Sequence, residues 1–284
     1  MNSRRKFLQT TGVLATGLLA GAGTAGAWSN KRIQPFGLQL YSLRNELPND
    51  PKGILKQVAS FGYKQVESFE GAKGMFWGMT HTDFKKYMDD LGMTIISSHC
   101  NINSDFEKKA AQAAEIGMKH LICPWIGPQK TLDDYKKFAD KFNACGDICK
   151  KNGLKFAYHN HGYTFQAIDG VMPQDTLMQN TNADTVDYQM DIYWVVTPGA
   201  DPIAWINKYP NRFSTCHVKD RMKQPTSDDA SCDLGTGGID LKSILKRASE
   251  KGMKYYVVEQ ENYPNSTALK SVEVDAAWMK KLEL

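Results

Sequence analysis

Short apolar runs alternate with amphipathic stretches from Phe36 to the C-terminus, and a helix-Gly-x-strand unit recurs four times. With a length that suits one barrel of about 250 residues, these observations predict an α/β protein, a single-domain (β/α)8 TIM barrel.

The first strand is expected over residues 36–41 and the second over 65–68, separated by a helix over 54–61 that Gly62 stops. A helix over 84–91 before Gly92 leads to the third strand at 94–99, and one over 110–116 before Gly117 leads to the fourth at 120–124. The fifth, sixth and seventh strands are read at 155–159, 186–191 and 213–218. A helix over 245–251, stopped by Gly252, precedes the eighth at 255–259. No Gly-x-Gly-x-x-Gly follows the first strand, which argues against an open dinucleotide-binding sheet.

Residues 1–27 read as a signal that precedes the barrel of residues 28–284. Ser3-Arg4-Arg5-Lys6-Phe7-Leu8 has the twin-arginine pattern, followed by an apolar stretch over 11–22 and small residues over 24–27. The stretch is rich in Gly and Ala and shorter than the roughly 20 strongly apolar residues that span a bilayer. Export of the folded protein to the periplasm is therefore expected, with no stable span in the mature form and membrane association left open. The formal charge of +4 includes Arg4, Arg5 and Lys6, so the mature chain is near neutral, and no basic block interleaved with aromatics marks a nucleic-acid surface. Six cysteines carry no Cys-x-x-Cys spacing and are expected to be buried thiols.

Four of the expected strands end in a residue able to hold a divalent metal: His159 after Tyr158, Asp191 after Met190, His217 after Cys216 and Glu259 after Val258. One strand-end histidine is more often a hydrogen-bonded structural residue. Four ligands on successive parallel strands would converge at one mouth of a barrel, where chemistry on this scaffold is found. Gly37-Leu38-Gln39-Leu40-Tyr41-Ser42-Leu43-Arg44, Val66-Glu67, Tyr158-His159-Asn160-His161, Met190-Asp191, His217-Val218-Lys219-Asp220, Gly235-Thr236-Gly237-Gly238-Ile239-Asp240 and Val257-Val258-Glu259 resemble the sugar phosphate isomerase/epimerase superfamily on the xylose isomerase-like barrel. The resemblance implies a divalent ion held on strands five to eight by Glu, Asp, His and Glu. Asp191, His217 and Glu259 match the last three positions, and His159 replaces the first carboxylate. A set of two histidines and two carboxylates suits Zn, Mn or Co better than Mg.

Such a metal would polarise a sugar carbonyl and stabilise the enediolate left when the α-proton departs. The expected acid/base groups are Glu259, His161 and Lys219, the last two lying two residues beyond His159 and His217 and so on the same strand face. A lysine near a cation is expected to have a lowered proton affinity, with a salt bridge to Asp220 as its structural alternative. Gln39, Tyr41, Glu67, His99 and Trp125 are expected to line the substrate pocket. The leading reading is an exported, metal-dependent isomerase/epimerase that enolises a keto-sugar or sugar derivative, with homo-oligomerisation left open. The alternative is a lyase or dehydratase acting on a 3-keto-glycoside or inosose-like substrate, favoured by the missing first carboxylate. A non-catalytic sugar-binding barrel is the reading of another class.

Overall fold

The structure is a computed structural model that describes residues 32–284; the expected export signal lies outside them. Its strands are β1 (Gly37–Gln39), β2 (Gln65–Phe69), β3 (Thr94–His99), β4 (His120–Cys123), β5 (Lys155–His159), β6 (Val186–Asp191), β7 (Phe213–Val218), β8 (Asp220–Arg221), β9 (Ser231–Cys232) and β10 (Tyr255–Val258). All but β8 and β9 pair in parallel and close into one barrel, with β10 joining β7 to β1. The (β/α)8 architecture read from the sequence is the observed one. The β8–β9 pair is a small antiparallel hairpin outside the ring.

The helices are α1 (Pro51–Phe61), α2 (His81–Asp90), α3 (Phe106–Glu115), α4 (Leu132–Lys151), α5 (Pro173–Gln179), α6 (Ile192–Val196), α7 (Pro202–Lys208), α8 (Leu241–Glu250) and α9 (Ala268–Lys281). Capping side chains fix several starts: Asp50 accepts from Gly53 N–H at α1, and Thr131 accepts from Asp134 N–H at α4. At the other end Gly252 takes φ +97°, and a Cβ there would lie 2.4 Å from Asn211 Oδ1, so both backbone and space require glycine. No described helix is long and apolar enough to cross a membrane.

The apolar core lies between the ring of helices and the outer face of the strands. Phe142 of α4 packs its ring 5.3 Å from Phe156 of β5, both without exposed surface. Truncating Phe142 to alanine would cost about 3–5 kcal/mol. All six cysteines are buried and unpaired, as expected of thiols held in the core.

The barrel interior, by contrast, is polar where such barrels are usually filled by branched apolar side chains. His120 Nε2 sits 3.2 Å from Asp187 Oδ2 and 3.0 Å from Ser214 Oγ near the starts of β4, β6 and β7. Strand register places the next residues side by side: Gln39 opposite Glu67, His159 opposite Gln189, and Asp191 opposite His217. Burying so many polar groups is tolerable only because they satisfy one another.

Several boundaries differ from the sequence reading by one or more residues. The first strand ends at Gln39, because the Gln39 carbonyl oxygen Oε1 accepts from Tyr41 N–H at 3.0 Å and starts a 3-10 turn over Leu40–Leu43. Tyr41 therefore stands on the turn above the strand. Glu259 lies one residue past β10, and His217 one residue before the end of β7.

Candidate active site

Glu67 is the hub of the site. It has no exposed surface and accepts from Gln39 Nε2 at 2.7 Å, Ser97 Oγ at 2.6 Å, Gln189 Nε2 at 2.8 Å and His217 Nε2 at 2.6 Å. Burial works to raise its pKa, but His99 and His217 hold the carboxyl well below the ordinary value. An acceptor that is always charged dictates which way its neighbours turn. Gln189 must give Glu67 its NH2, so its oxygen faces His159 Nδ1 at 3.0 Å and His99 Nε2 at 2.8 Å. His159 donates from Nδ1, which leaves the lone pair of Nε2 directed elsewhere. That atom lies 3.9 Å from Asp191 Oδ2.

The same hub orients His217. Its Nε2–H is held by Glu67, so Nδ1 faces Glu259 Oε2 at 3.0 Å and Asp191 Oδ2 at 3.7 Å. Carboxylates at both nitrogens favour two N–H groups. Burial alone would depress the imidazole pKa, yet Glu259, Asp191 and Glu67 together raise it well above the ordinary value. Asp191 divides its carboxylate: Oδ1 accepts from Trp194 N–H at 2.9 Å at the start of α6, and Oδ2 is buried with no hydrogen-bond partner.

The structure thus gathers the four strand-end residues. Asp191, His217 and Glu259 each offer a ligand atom within 4.8 Å of the others, and so do His99, His159 and His217. These residues fit a divalent cation: a buried carboxylate oxygen lacks a partner, two imidazoles present a nitrogen to it, and Glu67 backs one as carboxylates back metal-bound histidines. His217 holds a proton where that cation would put its charge.

Lys219 joins the cluster. It turns inward, 1% exposed at the side chain, and binds Glu259 Oε2 at 3.2 Å and the Glu261 carboxylate. Burial opposes the charge, but Glu259, Glu261 and Asp191 raise its pKa well above the usual lysine value. The lowering expected from sequence was that of a bound cation, and the three carboxylates around Lys219 pull the other way. Nor does it bridge to Asp220. That carboxylate instead accepts from the backbone of Arg221, Gly235, Gly237 and Ile239, tying the Gly-rich loop to the hairpin rather than offering it to substrate.

A cleft of about 520 Å³ opens over the cluster, within the about 300–1,000 Å³ typical of small-molecule sites. Tyr41, His99, Trp125, His159, His161 and Glu259 line it, with Trp194 and Glu261 also at its wall. Gln39 and Glu67, expected at the pocket surface, lie beneath it with no exposure. His161 packs its ring 4.8 Å from His159, its Nδ1 buried and unpartnered, and burial lowers its pKa to about 3. It is a neutral imidazole. Burial raises the Glu261 carboxyl above its ordinary value despite the nearby Lys219. Sequence reading missed Gln189 and Glu261; each sits two residues from a named ligand on the same chain face, and that spacing was the available signal.

Comparison with known proteins places this geometry. The family model described as a xylose isomerase-like TIM barrel matches residues 55–282. The chain belongs to that family. A crystal structure of a sugar phosphate isomerase/epimerase from Parabacteroides distasonis is 31% identical, with a TM-score of 0.75 over 87% of this chain and 97% of that one. The inosose dehydratase of Clostridium beijerinckii is 36% identical over 148 residues, 46% of this chain and 49% of its own length. The chain spans about half the length of the curated relatives it matches. A zinc-bound structure of the IOLI protein shares the fold at 17% identity, with a TM-score of 0.70 over 87% of this chain and 96% of that one. Several of the proteins the chain resembles carry the names of enzymes.

Proposed function

We propose that this barrel is a metal-dependent enzyme that removes the proton next to the carbonyl of a cyclic keto-sugar or sugar-derived ketone and then expels a β-oxygen. The reading rests on His159, Asp191, His217 and Glu259, of which the last three form one possible ligand set and His159 shares a second with His217, beside a cleft lined by His161 and Glu261. A divalent cation such as zinc, held by those four, would supply Lewis acidity toward the carbonyl.

The chain's own residues account for the rest. His161, unprotonated beside the cluster with its Nδ1 unpartnered, is placed to accept the α-proton, as a weaker base than free imidazole; the C–H electrons form a C=C bond as the C–O bond at the neighbouring carbon breaks. The departing oxygen takes a proton from the hydrogen-bonded Lys219–Glu261 pair at the cleft wall, where burial raises the Glu261 carboxyl above its ordinary value. Until that transfer Lys219 is an ammonium between Glu259 and Glu261 and offsets the negative charge that develops. The products are an unsaturated ketone and water or an alcohol. A base and acid of different kinds suit elimination better than two-sided epimerisation, and the dehydratase relatives point the same way.

Proton NMR in deuterated water with metal-loaded protein and a panel of inososes and keto-glucosides tests the proposal. Elimination removes the α-proton signal and brings a vinylic or diketone product; isomerisation exchanges the proton and keeps every oxygen. His161→Ala should slow exchange by about 10²–10⁴. No exchange with any member of the panel would sink the proposal.

A further inference from the structure

The cleft does not end at His161. A second cavity of about 420 Å³ adjoins it, and Trp125, His161 and Trp194 line both. Its remaining wall includes Tyr163, Gln166 and Thr197, with Asp228 at the rim.

Trp125 is the element that needs explaining. It is 56% exposed, more than any other large hydrophobic side chain among the described residues. Its indole is braced edge-on by His161 at 4.5 Å and by Tyr163 at 4.9 Å, with interplanar angles of 87° and 85°. A rigidly held ring offers an apolar face at little entropic cost, the arrangement that suits stacking of another ring. Trp194, 5.5 Å from His161, lines the same cavity. Gln166 and Asp228 supply polar groups for hydroxyls.

A single ring seated over the cluster does not reach Tyr163 or Gln166, which line the second cavity and not the first. We infer that the substrate is a two-ring glycoside: the ring bearing the carbonyl lies over the histidine and carboxylate cluster, and its partner ring lies in the second cavity against Trp125, Tyr163 and Trp194. His161 then stands at the bond joining the rings. This rests on the keto-sugar reading above and names its substrate class.

Binding of stable probes to the metal-loaded protein tests the inference by titration calorimetry, using methyl β-D-glucoside as the single ring and phenyl β-D-glucoside and cellobiose as two-ring probes. The two-ring probes should bind about tenfold tighter, the worth of one good aromatic contact. Gln166→Phe, filling the cavity from its exposed lip, and Thr197→Phe, filling it from the residue that follows α6, should each bring that ratio close to one; using both guards against one variant failing to fold. Equal affinities in the unmodified protein, no binding of the two-ring probes, or a ratio that survives both substitutions would overturn the second-ring site. None of these probes carries a carbonyl. A retained ratio without α-proton exchange therefore refutes the proposed reaction alone, and exchange with a ratio of one refutes the second-ring site alone.

Discussion

Replacing Glu67 by glutamine should damage both folding and metal affinity, although residue 67 does not touch the cleft. The carboxylate accepts from Gln39, Ser97, Gln189 and His217, all of them donors at 2.6–2.8 Å. A glutamine has one oxygen for this ring of donors and sets its own NH2 against the others in either orientation. At least two buried donors lose a partner, at about 1–3 kcal/mol each, and the charged pairing with His217 is broken. We expect a loss of about 3 kcal/mol in urea denaturation at neutral pH. Metal affinity should fall about 10–100-fold, since neither Gln189 nor His217 is any longer forced into the orientation that frees His159 Nε2 and His217 Nδ1. The pH dependence has a fixed sign. The folded-state pKa of Glu67 lies well below the ordinary 4.5, so its contribution is complete above that value and disappears as pH falls through the folded-state pKa. The gap between native protein and variant should close in acid. A destabilisation below about 0.5 kcal/mol with unchanged metal affinity would refute the reasoning.

Elemental analysis after zinc or manganese reconstitution should find one ion per chain, lost in His217→Ala and in Asp191→Ala; an ion that survives both would place the site elsewhere. Metal affinity should rise with pH by about tenfold per unit from pH 6 upward, because the raised pKa of His217 makes the cation displace a proton. Calorimetry in buffers of different ionisation enthalpy should count about one proton released, and a count of zero would contradict that proton. Changing Arg4 and Arg5 together to lysine should hold the protein in the cytoplasmic fraction, and continued recovery from the periplasm would count against twin-arginine export.

The barrel was legible because its signals are local. Gly62, Gly92, Gly117 and Gly252 each follow a helix and take positive φ, and the strand-end ligands recur at matching places in the repeat. The site was legible only as far as chain periodicity reaches. His159 and His161, or His217 and Lys219, share a face because they are two apart. What Lys219 meets there depends on Asp191 at the end of β6 and on Glu259 and Glu261 just past β10, so the three carboxylates that oppose a cation's pull on its proton were not legible from its own strand. Glu67 was misplaced at the surface for a similar reason. Depth inside a barrel is set by register between strands, and Gln39 opposite Glu67 is a pairing that one strand's sequence does not contain.

The divided carboxylate of Asp191 makes that position intolerant of its nearest isostere. One oxygen caps α6 through Trp194 N–H, and the other is free for a cation. An asparagine matches the shape but has only one oxygen. Turned toward the helix, it points its NH2 at the cation; turned toward the cation, it points that NH2 at Trp194 N–H. Either rotamer spoils one function, so Asp191→Asn cannot serve as a charge-only probe of this centre. A substitution meant to remove ligand charge without disturbing a helix start is better made at Glu259, which caps no helix.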